Sequence, residues 1–251
     1  IEPTLQTLGE RGDIIKAISR ALGRRGQSRS PEAMVVDAGG ETSSPKIGRV
    51  IDKRLVDELD DSARAIASIN TIVNTAGHLK AYNTDYIAIE QLLKKHAVPK
   101  DSTFALHGSG GMAKAVASAL RDGGYANGLI VARNEAAGRA LAHNLGYTWQ
   151  ATLGETRPQM LVNVTPIGMT GGAQAEDLAF EAAAIDLADT VFDVVAIPAE
   201  TPLIVRGRAQ GKRVITGLEV IAIQALEQFV LYTGIRPTDE QFQKAGAFAR
   251  Q

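Results

Sequence analysis

Apolar and polar residues follow different patterns on the two sides of Lys100. Beyond Lys100, strand-like apolar runs alternate with helical spacing in the order STFALHG, GMAKAVASALRDGGY, GLIVARN and EAAGRALAHNLGY. Two successive strand and helix units indicate a parallel, twisted sheet. MLVNVT, TVFDVVA and RVITG predict further strands, before a long helix in LEVIAIQALEQFVLYTG.

The stretch before Lys100 predicts a smaller mixed region. Apolar residues at three- and four-residue intervals predict one helix in LVDELDDSARAIASI and another in YIAIEQLLKKHAV, which Pro99 ends. Alternation around the AGH turn of INTIVNTAGHLKAYNTD predicts two short strands. The first 50 residues show helical spacing only in IIKAISRALGRR.

Composition excludes several classes of protein. The chain has 251 residues, no cysteine and a net charge of -1, so we expect a cytoplasmic protein without disulfides that does not bind nucleic acid. We expect no membrane segment, because no apolar stretch approaches the roughly 20 residues that a spanning helix needs. The histidines at 78, 96, 107 and 143 lack metal-ligand spacing, so we expect no metal.

The stretch HGSGGMAKA combines a glycine loop with a strand before it and a helix after it. Gly108, Gly110 and Ala113 occupy the first, third and sixth places of G-x-G-x-x-A. The first glycine allows a tight turn, the second lets a pyrophosphate approach, and the small third residue lets helix and strand pack closely. A turn without a ligand is the alternative. The context favours a dinucleotide site.

The end of the next strand indicates which dinucleotide is bound. An acidic residue there is typical of NAD enzymes, whereas this strand ends in Arg133 and Asn134. A guanidinium can form a charge-assisted contact with a 2'-phosphate, so NADP is favoured over NAD. Glu135 weakens this preference, and a surface arginine at a helix start is the alternative.

Hydride exchange with an alcohol or ketone also requires a general acid or base. A lysine beside a carboxylate can serve, and Asp85 lies where the strand of AYNTDY gives way to a helix. Spacing alone favours a carboxylate that caps the start of the helix.

Several blocks together resemble the shikimate dehydrogenase family. They are SINTIVN, KAYNTDY, HGSGGMAKA, VARN, LVNVTPIGM, FDVVAIPAETPL and the glutamine of IAIQALEQF, in the family's order and spacing from about Leu55 to the C-terminus. The chain looks closest to the shikimate dehydrogenase-like branch of that family.

The resemblance implies roles for individual residues. It implies that Asp85 pairs with a catalytic lysine and that Ser43, Asn70 and Gln224 bind substrate. The residues that it implies for the NADP loops and the nicotinamide side are Gly108, Ser109, Gly110, Gly111, Met112, Ala113, Arg133, Asn134, Asn163, Thr165, Gly168, Met169 and Gly217.

The lysine is placed least clearly by the resemblance. The family has it in a segment like S-x-x-P-x-K, and this chain offers SSPK, which favours Lys46. Counting back without gaps from LVDEL gives Arg49 instead, a poor proton shuttle, and Lys53 is a further alternative. Ala196 stands where the family has a tyrosine, and the family's substrate-binding serine pair is not recognisable before Leu22.

Together these features predict an α/β protein of two lobes. A Rossmann-type parallel-sheet nucleotide domain is expected at 100–216, and a smaller α/β substrate domain at 1–99, completed by helices at 217–251. We expect NADP-dependent oxidation and reduction of 3-dehydroshikimate or a related small hydroxylated carboxylic acid, by a monomer or homodimer. A quinate dehydrogenase, a methylenetetrahydrofolate dehydrogenase and a non-catalytic NADP-binding relative are the alternatives.

Overall fold

The computed structural model describes residues 33–34 and 56–249, with the backbone alone for 33–34 and 247–249. Within these ranges the chain forms two compact units. One contains 33–34, 56–84 and 221–249, and the other contains 85–220. The domain boundaries predicted near residues 99 and 216 stay a prediction, because compactness does not show which segment binds which ligand.

The described residues form strands and helices in alternation. The strands are β1 (Ala33–Met34), β2 (Glu58–Leu59), β3 (Thr71–Thr75), β4 (His78–Tyr82), β5 (Phe104–His107), β6 (Gly128–Val131), β7 (Thr148–Gln150), β8 (Met160–Asn163), β9 (Thr190–Asp193) and β10 (Arg213–Ile215). The helices are α1 (Asp61–Ile66), α2 (Thr84–Lys95), α3 (Gly111–Asp122), α4 (Glu135–Leu145), α5 (Ala182–Leu187), α6 (Pro202–Ala209), α7 (Gly217–Thr233) and α8 (Asp239–Ala249).

The first unit is built on a four-stranded sheet in the order β1-β3-β4-β2. The antiparallel pair β3 and β4 confirms the two strands predicted around the AGH turn. Ala76 and Gly77 have φ of 52° and 93°, which suits the tight turn that joins them. One face of this pair packs against α1 through Ile72 and Ala81.

The helix predicted from Leu55 is wrong in its length. It spans only Asp61–Ile66: Asp60 caps its start, with Oδ1 accepting from Ser62 N, and Ala67 ends it in the left-handed region at φ 55°. The apolar residues before it, Val56 and Leu59, pack against the same core. A strand followed by a helix therefore produced the spacing of one longer helix.

The second unit contains a six-stranded sheet in the order β10-β9-β8-β5-β6-β7. All neighbouring strands are parallel, which confirms the predicted parallel sheet and α/β fold. The chain builds outward from β5 to β7 and then returns to start again at β8, on the other side of β5. Sheets of this order bind ligands beyond the carboxyl ends of the two central strands, here at His107 and Asn163.

Buried residues fill both faces of the parallel sheet. Leu161 and Val191 pack on one face against Ile185 of α5 and Leu203 of α6.

Among the helices that the structure describes, none combines the length and apolar character needed to cross a membrane.

Candidate functional site

Gly108, directly after β5, is in a conformation and a position that exclude a side chain. Its φ is +132°, and an added Cβ would lie 2.8 Å from Val164 Cγ2 and 3.1 Å from the Val164 carbonyl oxygen. The loop therefore passes directly over the residue that follows β8. This close approach brings together the ends of the two central strands, where the sheet order predicts a ligand.

Gly110 and Gly111 have no such neighbours. An added Cβ on either would meet no atom within 4 Å among the described residues, and both glycines are exposed. Gly110 precedes α3 without a side-chain cap, and the first turn of α3 carries no acidic residue. Open space beside uncapped N–H groups at the positive end of a helix fits a pyrophosphate. Ala113 is fully buried, as the third small residue of the motif should be.

Arg133 follows β6 and is exposed. Glu135, which could have opposed a phosphate there, instead accepts from Arg139 Nε at 2.7 Å. The Arg139 guanidinium also lies 4.3 Å from the centre of the Trp149 ring. The Asn134 side chain caps α4, with its Oδ1 accepting from Ala137 N at 3.0 Å. Arg133 is thus the cation presented to solvent at this strand end.

The segment after β8 is held by the side chain of Asn163, which is fully buried. Its Oδ1 accepts from Thr165 N at 3.0 Å and from Thr165 Oγ1 at 2.6 Å, while Nδ2 donates to the Ile167 carbonyl at 3.1 Å. Gly168 follows with φ +88°, and Met169 is 39% exposed. Residues 164–169 thus have a fixed shape on the sheet; they are called the nicotinamide loop below, after the role that the resemblance implies for them.

Sequence reasoning missed Asp193, to which Nδ2 of Asn163 also donates at 3.0 Å. The signal available was a single acidic residue within the apolar run VFDVVA. Its carboxylate is fully buried, and this burial raises its pKa to about 6.

A buried polar cluster lies in the first unit. Asn70 Oδ1 accepts from Thr84 N at 2.9 Å, Thr71 Oγ1 at 3.0 Å and Thr84 Oγ1 at 3.1 Å. The amide oxygen of Asn70 is thereby fixed against protein donors. Its amide nitrogen is the half left to donate to a ligand.

Gln224 of α7 belongs to the same unit and is only 2% exposed. Its Oε1 is buried and has no hydrogen-bond partner among the described residues. A buried carbonyl without a donor is costly, so this oxygen can accept a hydrogen bond from a group outside the described residues, such as a ligand. Gln228, one turn later, was missed from the sequence; its Nε2 donates weakly to Thr71 Oγ1 at 3.4 Å and Thr84 Oγ1 at 3.5 Å.

The remaining candidate residues fall in different places. Asp85 is half-buried in the first turn of α2, where the positive end of the helix favours its charge. An added Cβ on Gly217 would lie 2.3 Å from the Val195 carbonyl oxygen, so this glycine allows α7 to start against the segment after β9. Ser43, Lys46, Arg49 and Lys53 lie outside the described residues.

The described residues contain no group of three or more His, Cys, Asp or Glu side chains arranged to hold a metal ion.

Comparison with known proteins identifies relatives for most of the chain. A shikimate dehydrogenase-like protein of Haemophilus influenzae is 51% identical over 195 residues, which cover 78% of this chain and 72% of the relative. A family model described as a protein of unknown function, DUF3363, matches residues 1–88.

Solved structures of shikimate dehydrogenases and of a shikimate dehydrogenase-like protein also match this chain. The structure of a shikimate 5-dehydrogenase-like protein matches with a TM-score of 0.81 and 46% identity, over 95% of this chain and 84% of that chain. Shikimate 5-dehydrogenase from Thermus thermophilus, in complex with NADP(H) and shikimate, matches with a TM-score of 0.65 and 28% identity, over 77% of this chain and 73% of that chain.

Proposed function

Because the chain belongs to the shikimate dehydrogenase family, we propose that it is an NADP-dependent oxidoreductase of a hydroxylated ring carboxylic acid. The observation that carries this proposal is the glycine loop at the carboxyl end of β5. It combines open space beside Gly110 and Gly111 with the uncapped start of α3, at the point where the strand order reverses. These residues fit a dinucleotide pyrophosphate.

The preference for NADP over NAD is supported by the charges around Arg133. NAD enzymes usually place a carboxylate at the end of this strand to bind the ribose hydroxyls. Here the nearby carboxylate, Glu135, is engaged by Arg139. The exposed guanidinium of Arg133 can therefore meet a 2'-phosphate without a competing partner at Glu135.

The substrate class is supported by the buried polar cluster of the first unit. Asn70 offers an N–H donor and Gln224 offers a buried carbonyl acceptor. A ring with several hydroxyl groups both donates and accepts, so it matches this pair. 3-Dehydroshikimate and shikimate have this chemistry, and the shikimate bound in the Thermus thermophilus relative is consistent with it.

Each residue then has a proposed part in the reaction. Bound NADPH supplies a hydride to the C3 carbonyl of the ring acid. Lys46 donates a proton to the oxygen of that carbonyl, and Asp85 keeps the lysine charged against desolvation. Asn70 and Gln224 orient the ring hydroxyls, which fixes the carbonyl relative to the proton donor. In the oxidative direction the neutral lysine takes the proton back.

A non-catalytic NADP-binding protein is the second candidate, and the sequence at residues 46–49 favours it. Lys46 is displaced by one residue from the family's spacing, and Arg49 occupies the ungapped position. An arginine binds anions well but exchanges protons poorly near neutral pH. Ala196 also removes a phenol that the family uses.

One experiment separates the two candidates. NADPH is titrated by fluorescence, and 3-dehydroshikimate or 3-dehydroquinate is then added while the NADPH absorbance is followed. The proposal predicts saturable binding followed by loss of absorbance. Binding without oxidation supports the non-catalytic candidate, and absence of binding contradicts both. Faster turnover of the quinate substrate would assign the chain to quinate dehydrogenases.

A further inference from the structure

Asp193, the last residue of β9, is fully buried, and both of its carboxylate oxygens accept hydrogen bonds. Oδ1 accepts from Asn163 Nδ2 and from Val195 N, each at 3.0 Å, and Oδ2 accepts from Thr201 Oγ1 at 2.7 Å. A carboxylate is costly to bury, and no cationic side chain is among the groups that bond it. Several neutral donors thus converge on one buried charge.

The first consequence concerns the orientation of Asn163. A carboxylate only accepts hydrogen bonds, so it selects the amide nitrogen of Asn163 and turns the amide oxygen the other way. That oxygen then accepts from Thr165, and the same nitrogen reaches the Ile167 carbonyl. A flipped amide would place two acceptors face to face. Asp193 therefore determines how Asn163 holds two positions of the nicotinamide loop.

The second consequence concerns Thr201. Its hydroxyl donates to Asp193 and also caps α6 by accepting from Ile204 N at 3.3 Å. Its Cβ would lie 3.1 Å from a Cβ added to Gly168, so Thr201 also forms the floor of the loop. One carboxylate thereby links β8, the far end of the nicotinamide loop and the start of α6.

We propose that Asp193 is a positioning residue that presets the nicotinamide loop through Asn163 and Thr201, so that the loop is ordered before cofactor binds. The inference rests on the proposed function, because it assigns the nicotinamide half of NADPH to residues 164–169. It adds a residue that touches no ligand and acts only through its neighbours.

Two ligands test the inference. NADPH requires the nicotinamide loop, whereas 2',5'-ADP carries only the adenosine and 2'-phosphate half, which is assigned to Arg133. In Asp193→Asn the amide nitrogen meets the Thr201 hydroxyl, so one charge-assisted hydrogen bond is lost while size is kept. We expect the Kd for NADPH to rise about tenfold and the Kd for 2',5'-ADP to change less than about twofold.

Two further variants complete the design. Asp186→Asn is the matched control, because this exposed carboxylate binds Arg206 and Gln210 in the same unit without contacting the loop; neither Kd should change. Thr201→Val removes the same hydrogen bond from the other side and carries the test if Asp193→Asn does not fold. In the Thr201→Val background, Asp193→Asn should have little further effect on NADPH binding.

The outcomes are distinct. Selective weakening of NADPH, together with the missing further effect in the double variant, supports the inference. Equal weakening of both ligands, or no weakening of either, overturns it while the proposed function stands. A wild-type protein that binds neither ligand overturns the proposed function and the inference together.

Discussion

Asn163 donates a hydrogen bond of 3.0 Å to the carboxylate of Asp193, and the two residues face each other at the ends of neighbouring parallel strands. A neutral amide and a buried carboxylate thus meet at the carboxyl ends of β8 and β9 in the six-stranded parallel sheet. The contact links stability, pH and ligand binding, because the same carboxylate is both a buried charge and a support of the nicotinamide loop.

The stability of the protein should depend on pH through Asp193. Burial raises its pKa from 3.8 to about 6, so between these values the folded protein holds a proton that the unfolded chain releases. Stability from this group therefore falls as the pH rises through that window. The free energy of unfolding of Asp193→Asn, relative to that of the wild type, should therefore rise by about 2 kcal/mol as the pH increases from 4 to 7.

Urea unfolding at several pH values measures this shift. Asp186→Asn provides the control of opposite sign, since contacts with Gln210 and Arg206 lower the pKa of Asp186. The stabilising contribution of Asp186 is present above its unfolded pKa and is lost as the pH falls. The free energy of unfolding of Asp186→Asn, relative to that of the wild type, should therefore decrease as the pH rises. If the free energy of unfolding of Asp193→Asn depends on pH in the same way as that of the wild type, the raised pKa of Asp193 is contradicted.

The glycines of the loop should separate stability from binding. Gly108→Ala forces a side chain into φ +132° and against Val164, so it should cost about 2 kcal/mol or more. Gly110→Ala has an ordinary φ of -80° and open space, so it should fold normally and bind NADPH at least about tenfold more weakly. Thermal melts and fluorescence titration measure the pair. Unchanged NADPH affinity in Gly110→Ala would contradict the proposal that this loop binds the pyrophosphate.

Arg133 should determine the choice of cofactor. Arg133→Gln removes a charge-assisted contact to the 2'-phosphate, so NADP⁺ affinity should fall about 10- to 100-fold while NAD⁺ affinity stays the same. Arg139→Gln is the matched control, because that arginine is engaged by Glu135 and Trp149. Calorimetric titration of both cofactors gives the ratio. A similar loss of NAD⁺ affinity would mean that Arg133 does not contact the 2'-phosphate.

Gln224 should contribute to ligand binding at the expense of stability. Its buried Oε1 has no hydrogen-bond partner in the described part of the chain, so Gln224→Met should raise the free energy of unfolding by about 1 kcal/mol. The same change should raise the KM for the ring acid about tenfold. Gln228→Met loses two long hydrogen bonds to threonines and serves for comparison. A loss of stability in Gln224→Met would indicate a structural role instead.

Local sequence signals predicted most of the fold. Strands β3 to β6 and β8 to β10, and the helices α2, α3, α4 and α7, follow from apolar periodicity and glycine stops. α1 was predicted too long, because Val56 and Leu59, which lie before the helix, pack against the same core. The short elements β7 and α5 carry too few residues to establish a period.

The site was predictable only where chemistry follows from local spacing. The glycine loop and Arg133 lie beside recognisable strand ends, so sequence located them. Asp193 and Gln228 matter because of partners 30 and 157 residues away, Asn163 and Thr71. Such contacts depend on strand order and helix packing, which local patterns do not contain. The roles of all the candidate site residues stay predictions, and Ser43 and Lys46 also lie outside the described residues.

Hydride transfer can be followed with NADPH that carries deuterium at both C4 positions of the nicotinamide, by mass spectrometry of the shikimate formed from 3-dehydroshikimate. The wild-type protein should form labelled shikimate, and Asp85→Asn should form at least about a hundredfold less with nearly unchanged NADPH affinity. NADPH that binds tightly but passes no deuterium to this or a related ring acid would contradict the oxidoreductase assignment.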